Sequence, residues 1–472
     1  MYNFLNKVFK LEENQTTVKT EVIAGLTTFF AMCYIVIVNP SSMAGDATTF
    51  PWLYNACFIG GIVAAVIATL CMAFIANKPF ALAAGMGLNS YFFVAYILPC
   101  ILNPMLDPKQ GYAEGLAIIL MSGILFLVLS VTGARKYIAT SLPPVLKIAM
   151  PAGIGLFIAF LGFQNSGFIV NNDYTLVQIA NFTEWSTACK PLVAFIGLVI
   201  TVVFAASKNK VLKGGSIILG IAASTAVYYI FSIWTPELRV SASLTSVGTM
   251  FSDWAKYGLF NLSGFKTLFS DSSIAGGVIS VIMLVITYCL IDMFDTIGTL
   301  YGASAQAGML DENGDPLCVQ EEMLCDSIGT VVGALTGTST ITTFVESASG
   351  VAAGGRTGLA SFVTAILFLI CLFVGPVVAY IPSCATAAAL IYVGILMLKN
   401  IVNVDFTDLR DAATAFMTVV MMLATYSITN GIMLGAIVYT LVSLLTGRFT
   451  KKDIVAAIIG LLGALKFALV VM

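Results

Sequence analysis

The chain has 472 residues, 59% of them hydrophobic and only 10% charged, with a formal net charge of -2. Soluble domains carry about 25% charged residues, so this composition excludes a soluble globular protein and reads as a polytopic membrane protein whose surroundings are the lipid bilayer. There is no histidine, which removes His-dependent zinc sites, Ser-His triads and His proton relays together, and no basic tract suggests nucleic acid as a partner.

Met1 to Glu21 is polar and mixed in charge, without the short apolar run and small-residue cleavage site of a removable leader, so the first apolar segment reads as a retained span. Runs of about the 20 residues needed to cross a bilayer follow at roughly 22–40, 53–77, 80–98 (broken), 113–133, 143–162, 190–206, 214–234, 273–302, 317–336, 338–354 (broken), 357–380, 383–401, 408–428 and 430–447. These are fourteen segments, seven plus seven, and an odd number in each half inverts the second half relative to the first. Fifteen Lys and Arg residues fall on the side of the N-terminus, among them Arg135, Lys136, Lys208, Lys210, Lys213, Lys451 and Lys452, and five on the other side, which predicts both termini in the cytoplasm.

The third segment, from Lys78 to Tyr91, is short, Gly-interrupted and polar at Asn89. The connection from Thr235 to Ser272 is the longest and separates the halves; its Pro, Gly and Trp residues predict an interfacial hairpin or short helix. The eighth segment carries Asp292 and Asp295, three residues apart and so on one helical face. Two carboxylates in one apolar helix are costly and demand a shared polar cavity. The acidic loop Asp311 to Asp315 lacks the spacing of a calcium loop and reads as a solvated turn, and no metal site is expected. Asp326 reads as a buried hydrogen-bonding strut.

The tenth segment, Thr336 to Gly358, is built of glycines and hydroxylated residues around one carboxylate, Glu346. Such a piece offers too little apolar surface to face lipid and belongs inside protein, lining a cavity. Laying Gly87-Leu88-Asn89-Ser90 over Phe344-Val345-Glu346-Ser347 sets Asn89 opposite Glu346, about half the chain away. Paired broken segments at matching places in two halves point to a transporter's binding site. Phe344 and Phe92 flank the two polar points, where a flat ligand would want a ring. Arg356 reads as an interfacial anchor. The ten cysteines are scattered without a C-x-x-C pair and read as small buried hydrophobes. The tail, Asp453 to Met472, is apolar but interrupted by Lys466 and reads as an interfacial helix rather than a fifteenth span.

Three motifs in order, Gly85-Met-Gly-Leu-Asn-Ser-Tyr-Phe92, Phe294-Asp-Thr-Ile-Gly-Thr-Leu-Tyr301 and Gly337 to Gly350 followed by Gly354-Gly-Arg-Thr-Gly358, resemble the AzgA-like purine permeases. These are the hypoxanthine/guanine and adenine permease branch of the nucleobase–cation symporter-2 family. The resemblance covers nearly the whole chain and implies a 7+7 inverted repeat, all-α except that segments 3 and 10 each pair a short strand with a half-helix. It implies a core domain (1–133 and 273–380, segments 1–4 and 8–11) and a gate domain (134–272 and 381–472, segments 5–7 and 12–14 with the tail). The nucleobase is expected between segments 3 and 10, with Asn89, Asp295, Glu346, Phe344, Gly87 and Val345 as substrate-binding residues. Thr299 stands where uracil permeases carry a histidine, so coupling is expected to use carboxylates: Asp295, Asp292 and Glu346.

The expectation is therefore not an enzyme but a proton-coupled importer of a purine base in the cytoplasmic membrane. No cofactor is implied beyond the coupling ion, for which sodium is the alternative, and assembly as a homodimer is compatible with the chain. Rivals are a carrier of xanthine or uracil, or of a small anion, on the same fold. An anion carrier would want a cation facing the half-helix ends, where this chain has Glu346 and Asn89. An intramembrane aspartyl protease needs facing aspartates, whereas Asp292 and Asp295 share one face of one helix. A passive channel would differ in neither saturating nor responding to a protonophore.

Overall fold

Inside a bilayer every backbone N–H and C=O needs an internal partner, which leaves the helix as the form for apolar runs of this length. The computed structural model describes residues 2–45, 49–133, 142–172, 175–209, 212, 215–235, 246–270, 273–274, 276–307, 309, 319–344, 346–374 and 380–470. In chain order the elements that matter are α1 (Tyr2–Phe9), α2 (Val18–Met32), α3 (Ile35–Ala44), α4 (Pro51–Cys71), β1 (Leu82–Ala84), α5 (Met86–Phe92), α6 (Leu98–Leu102), α7 (Pro108–Val131) and α8 (Pro144–Asn165). Then come β2 (Ile169–Asn172), β3 (Leu176–Ile179), α9 (Trp185–Ala205), α10 (Ser216–Trp234), α11 (Val247–Asp253), α12 (Gly264–Thr267), α13 (Val278–Ala307), α14 (Val319–Thr336), β4 (Ile341–Thr343) and α15 (Ser347–Ala352). The chain ends with α16 (Gly358–Cys371), α17 (Ser383–Leu398), α18 (Leu409–Ala424), α19 (Ile428–Leu445) and α20 (Ile454–Val470).

Among the described residues eight helices are long and apolar enough to cross a membrane, with shorter apolar helices at Met86–Leu102, Gly358–Cys371, Asn430–Leu445 and Ile454–Leu465. The chain is an all-α polytopic membrane protein whose strands form two small antiparallel pairs. Proline opens α4, α7 and α8, where the missing N–H would have had no helical partner. Side chains of Thr17, Asp107, Asp408 and Ser427 cap the starts of α2, α7, α18 and α19. The segment expected at 22–40 is interrupted at Cys33 and Tyr34, between α2 and α3.

Two groups of helices pack mostly within themselves. In one, α16 lies on α2 and α4, α14 on α4 and α7, and α15 on α2 and α13; in the other, α17 lies on α8, α9 and α10, α18 on α8 and α19, and α20 on α19. They meet chiefly where α8 crosses α13 and α5. The first group is tied at one end by Glu21, whose carboxylate accepts from the N–H groups of Arg356 (2.9 Å) and Thr357 (3.3 Å) at the start of α16. Arg356 does not simply reach to an interface. Its Nη1 donates to the carbonyls of Val351 and Gly355, closing the end of the half-helix α15.

The long connection after α10 forms short helices where it is described, α11 and α12 with one wide, π-helical turn at Trp254–Gly258 between them. It caps the end of α14: Trp254 Nε1 donates to the Thr336 carbonyl at 2.7 Å and Phe260 N to that of Leu335. A β-hairpin among the described residues, which the sequence reading missed, is the β2–β3 pair between α8 and α9. The described cysteines are free thiols, most of them buried. The acidic loop at Asp311 to Asp315 and the basic residues Arg135, Lys136, Lys210, Lys213 and Arg239 lie outside the described residues.

Candidate functional site

The site is organised by the smallest element of the fold. β1 and β4 pair antiparallel over three residues each, Leu82 with Thr343, Ala83 with Thr342 and Ala84 with Ile341. Each strand runs straight into a short helix, α5 or α15, so the two half-helices start from one strand pair and leave in opposite directions. The junction is fixed by Gly85 N donating to the Thr340 carbonyl, Phe344 N to that of Ala81, and Ala81 N to Ser347 Oγ, each at 3.0 Å. Thr69 on α4 grips Leu82 through both its N–H and its carbonyl. Backbone this irregular survives at membrane depth because protein buries it on every side.

Beside this junction lies a partly open cavity. One wall is polar: Gly85, Met86 and Gly87 from the start of α5, Thr342 to Phe344 from β4, Glu346, and Asp295 and Thr299 from α13. The opposite wall is apolar and comes from the other helix group, Ile158 of α8 with Val393 and Met397 of α17. Glu346 is 8% exposed, and its Oε1 accepts a 2.6 Å hydrogen bond from Tyr34 Oη. Asp295 is half-buried at the cavity, and its carboxylate has no hydrogen-bond partner among the described residues. Thr299 spends its hydroxyl on its own helix, donating to the carbonyls of Asp295 and Thr296. Phe344 is among the residues lining the cavity, while Phe92 is fully buried against Tyr96 and Tyr112.

Other expected residues sit differently. Asn89 is fully buried and is not among the residues lining the cavity. Its Nδ2 donates to Asn39 Oδ1 at 2.8 Å and its Oδ1 accepts from Ser339 Oγ. Asn39 in turn accepts from Thr338 Oγ1 and donates to the Cys57 carbonyl. The strand register explains the shift. The local two-fold relates Ala83 to Thr342, and four residues onward that operation relates Gly87, not Asn89, to Glu346. Gly87 and Glu346 both line the cavity, as the register requires. Asp292 is buried behind the cavity and accepts from Thr330 Oγ1, and Asp326 accepts from Thr296 Oγ1, each at 2.6 Å. Val345 lies outside the described residues.

Two residues that the sequence reading did not single out complete the picture. Tyr34 reaches Glu346 because the helix breaks at Cys33 and Tyr34, and Asn39 reaches Asn89 from the same segment. An amide inside the run Ile35-Val-Ile-Val-Asn39 was a usable signal; a tyrosine in an apolar helix was not. No group of three or more Cys, Asp or Glu among the described residues could hold a metal ion. What the cavity offers is two carboxylates, the ends of the strand pair and one aromatic residue, together with apolar side chains, a setting for a small flat molecule with hydrogen-bonding edges.

Comparison with known proteins bears on that setting. The permease family Xan_ur_permease matches residues 19–434. The adenine permease AdeP of Escherichia coli is 36% identical over 468 residues, covering 99% of this chain and 96% of that protein. The guanine/hypoxanthine permease PbuO of Bacillus subtilis is 35% identical over 446 residues, covering 94% and 96%. Among solved structures, the transmembrane domain of the cyanobacterial bicarbonate transporter BicA superposes with a TM-score of 0.56 at 15% identity, covering 86% of this chain and 95% of that one, a likeness of fold.

Proposed function

The chain belongs to the Xan_ur_permease family of permeases, in its purine nucleobase branch, and on that premise we propose that it imports a purine base by proton symport across the cytoplasmic membrane. It is a transporter rather than an enzyme. The observation that carries the reading is the pairing of Asp295 and Glu346 on the polar wall of one cavity, with Phe344 beside them and Ile158, Val393 and Met397 opposite. A neutral purine has donors and acceptors around its rim and two apolar faces. Its rim would meet the carboxylates and the strand-end backbone, and its faces the ring and the apolar wall.

In this reading Glu346, held by Tyr34, binds the base, and Asp295 carries the proton, with Asp292 behind it. Asn89 positions α5 through Asn39 and Ser339 rather than touching the base. The polar wall belongs to the group α2–α5, α7 and α13–α16, the core, which would move as a body against the gate α8–α10 and α17–α20. The termini would face the cytoplasm, and assembly as a homodimer is compatible with this reading.

The anion reading suggested by the fold of BicA is disfavoured by charge, since the described residues lining the cavity include two carboxylates and no Lys or Arg. The relatives named for adenine and for guanine/hypoxanthine are equally similar, so likeness does not choose between them. The test is uptake of labelled hypoxanthine and adenine in cells lacking their own purine permeases, competed with each unlabelled base and with uracil and xanthine. Saturable uptake of one purine, abolished by a protonophore and independent of sodium, is expected. Competition by uracil alone would reassign the substrate, and uptake driven by sodium would reassign the coupling ion.

A further inference from the structure

Behind the cavity the helices α13 and α14 face each other with a ladder of hydroxyl and carboxyl groups. Thr330, Asp326 and Glu322 are spaced four apart on α14 and share one face. Thr330 donates to Asp292, and Asp326 accepts from Thr296, so two rungs are closed between the helices. The next position on α13, one turn past Thr296, is the buried Leu300, which has no polar group to offer. Glu322, the last rung, is 1% exposed, and its Oε2 has no hydrogen-bond partner among the described residues. A buried carboxylate oxygen left without a donor is costly and calls for an explanation.

Three observations give one. Asp295 at the cavity directly precedes Thr296, whose hydroxyl donates to Asp326 at 2.6 Å, which links the cavity to the ladder. Glu322 stands one helical turn, about 6 Å along the axis, from Asp326 on the same face of α14. The residues just before it, Gln320 and Glu321, are exposed, so the aqueous phase begins one residue away. The charged groups that act on Glu322 are Lys78, which follows α4 and its terminal turn, and Glu321; the thiol of Cys325 lies beside it, and that of Cys71 from α4 beside Cys325. Glu321 and Glu322 both stand in the first turn of α14, where a helix N-terminus favours an acid, but the exposed Glu321 already meets that preference at no cost of burial, and it does not account for the buried Glu322.

We propose that Glu322 is the group through which the coupling proton leaves the core, passing from Asp295 to Asp326 and from Asp326 to Glu322 before entering water on the side where α14 begins. Each step moves one proton from a carboxylic acid to a neighbouring carboxylate, with no other change, so one proton enters at the cavity and one leaves at Glu322. This rests on the reading of the site as proton-coupled. Glu322 touches neither the base nor the cavity; it is a relay, and Lys78 is the cation that acts on its charge.

The experiment uses the full chain in sealed vesicles with an entrapped pH dye, comparing the wild type with Glu322→Gln and Glu322→Asp. It measures purine-driven proton movement, the dependence of net uptake on the pH of the compartment facing Glu322, and counterflow exchange of labelled for unlabelled purine. Glu322→Gln is expected to slow net proton-coupled uptake about a hundredfold, the usual scale of a lost proton-transfer group, and to flatten the pH dependence while counterflow persists. Glu322→Asp is expected to restore both. If the wild type moves no proton with purine, the proton-coupled reading itself falls. If the wild type does so and Glu322→Gln matches its rate and pH profile, the relay is overturned. Should Glu322→Gln fail to fold, Lys78→Gln supplies the readout: an altered pH profile supports the relay and an unchanged one overturns it.

Discussion

Tyr34 and Glu346 stand 312 residues apart in the chain and are joined by a 2.6 Å hydrogen bond at the wall of the cavity. The tyrosine is fully buried, so the bond is shielded from water, and its donor comes from the break between α2 and α3. Tyr34→Phe removes the donor and keeps the ring. Leaving a buried partner without its hydrogen bond costs about 1–3 kcal/mol, which corresponds to roughly five- to a hundredfold in affinity. Apparent affinity for purine should fall by that order with expression unchanged. Uptake kinetics of the variant at wild-type affinity would make Tyr34 a packing residue.

Asn89 and Asn39 share one network, Asn89 Nδ2 donating to Asn39 Oδ1, and neither is at the polar wall. Asn89→Ala and Asn39→Ala should therefore act alike, each leaving buried partners unsatisfied at a cost of about 1–3 kcal/mol. Both variants should melt several degrees lower in detergent, and the double variant should be less destabilised than the sum of the two. Affinity lost in Asn89→Ala at wild-type melting temperature would instead put the amide on the substrate.

The difference between the expected and observed places of Asn89 shows what the sequence could carry. Glu346 and Asp295 were legible because a carboxylate in an apolar run has no neutral explanation. Matching the two broken segments by their polar residues set Asn89 against Glu346, whereas the strand register makes Gly87 the counterpart. A glycine leaves no chemical signal of its own, and a three-residue strand gives no alternation to read. Tyr34 was hidden for a related reason: its meaning lies in a helix break that only the packing of α2, α15 and α16 reveals.

Gly337 links α14 to β4 with φ +92, a conformation that favours glycine. Its carbonyl accepts from Tyr112 Oη at 2.6 Å, and an added Cβ would lie 2.6 Å from Gly258 Cα and 2.7 Å from that same hydroxyl. Gly337→Ala should cost more than about 1 kcal/mol through backbone strain alone, and the clash adds to it. Less monodisperse protein on fluorescence-detected size exclusion is the expected result, with Tyr112→Phe milder. Normal yield of Gly337→Ala would mean that the junction before β4 can relax.

The two cavity carboxylates differ in their surroundings, and the difference predicts a division of labour. Glu346 is held in place by Tyr34 and sits on the short link between β4 and α15, so it can offer a base a fixed acceptor. Asp295 projects from the intact helix α13 and has no hydrogen-bond partner among the described residues. A carboxylate facing a cavity without a fixed donor is free to gain and lose a proton, and Asp326 and Glu346 lie within electrostatic reach to influence it. Glu346→Gln should weaken purine binding roughly ten- to a hundredfold, whereas Asp295→Asn should keep exchange of labelled for unlabelled purine but lose accumulation driven by a proton gradient. Exchange and accumulation are read in the same vesicles, with and without an imposed gradient. Equal loss of both in the two variants would leave the carboxylates acting as one unit, and gradient-driven accumulation persisting in Asp295→Asn would move the proton to Asp292 or Glu346.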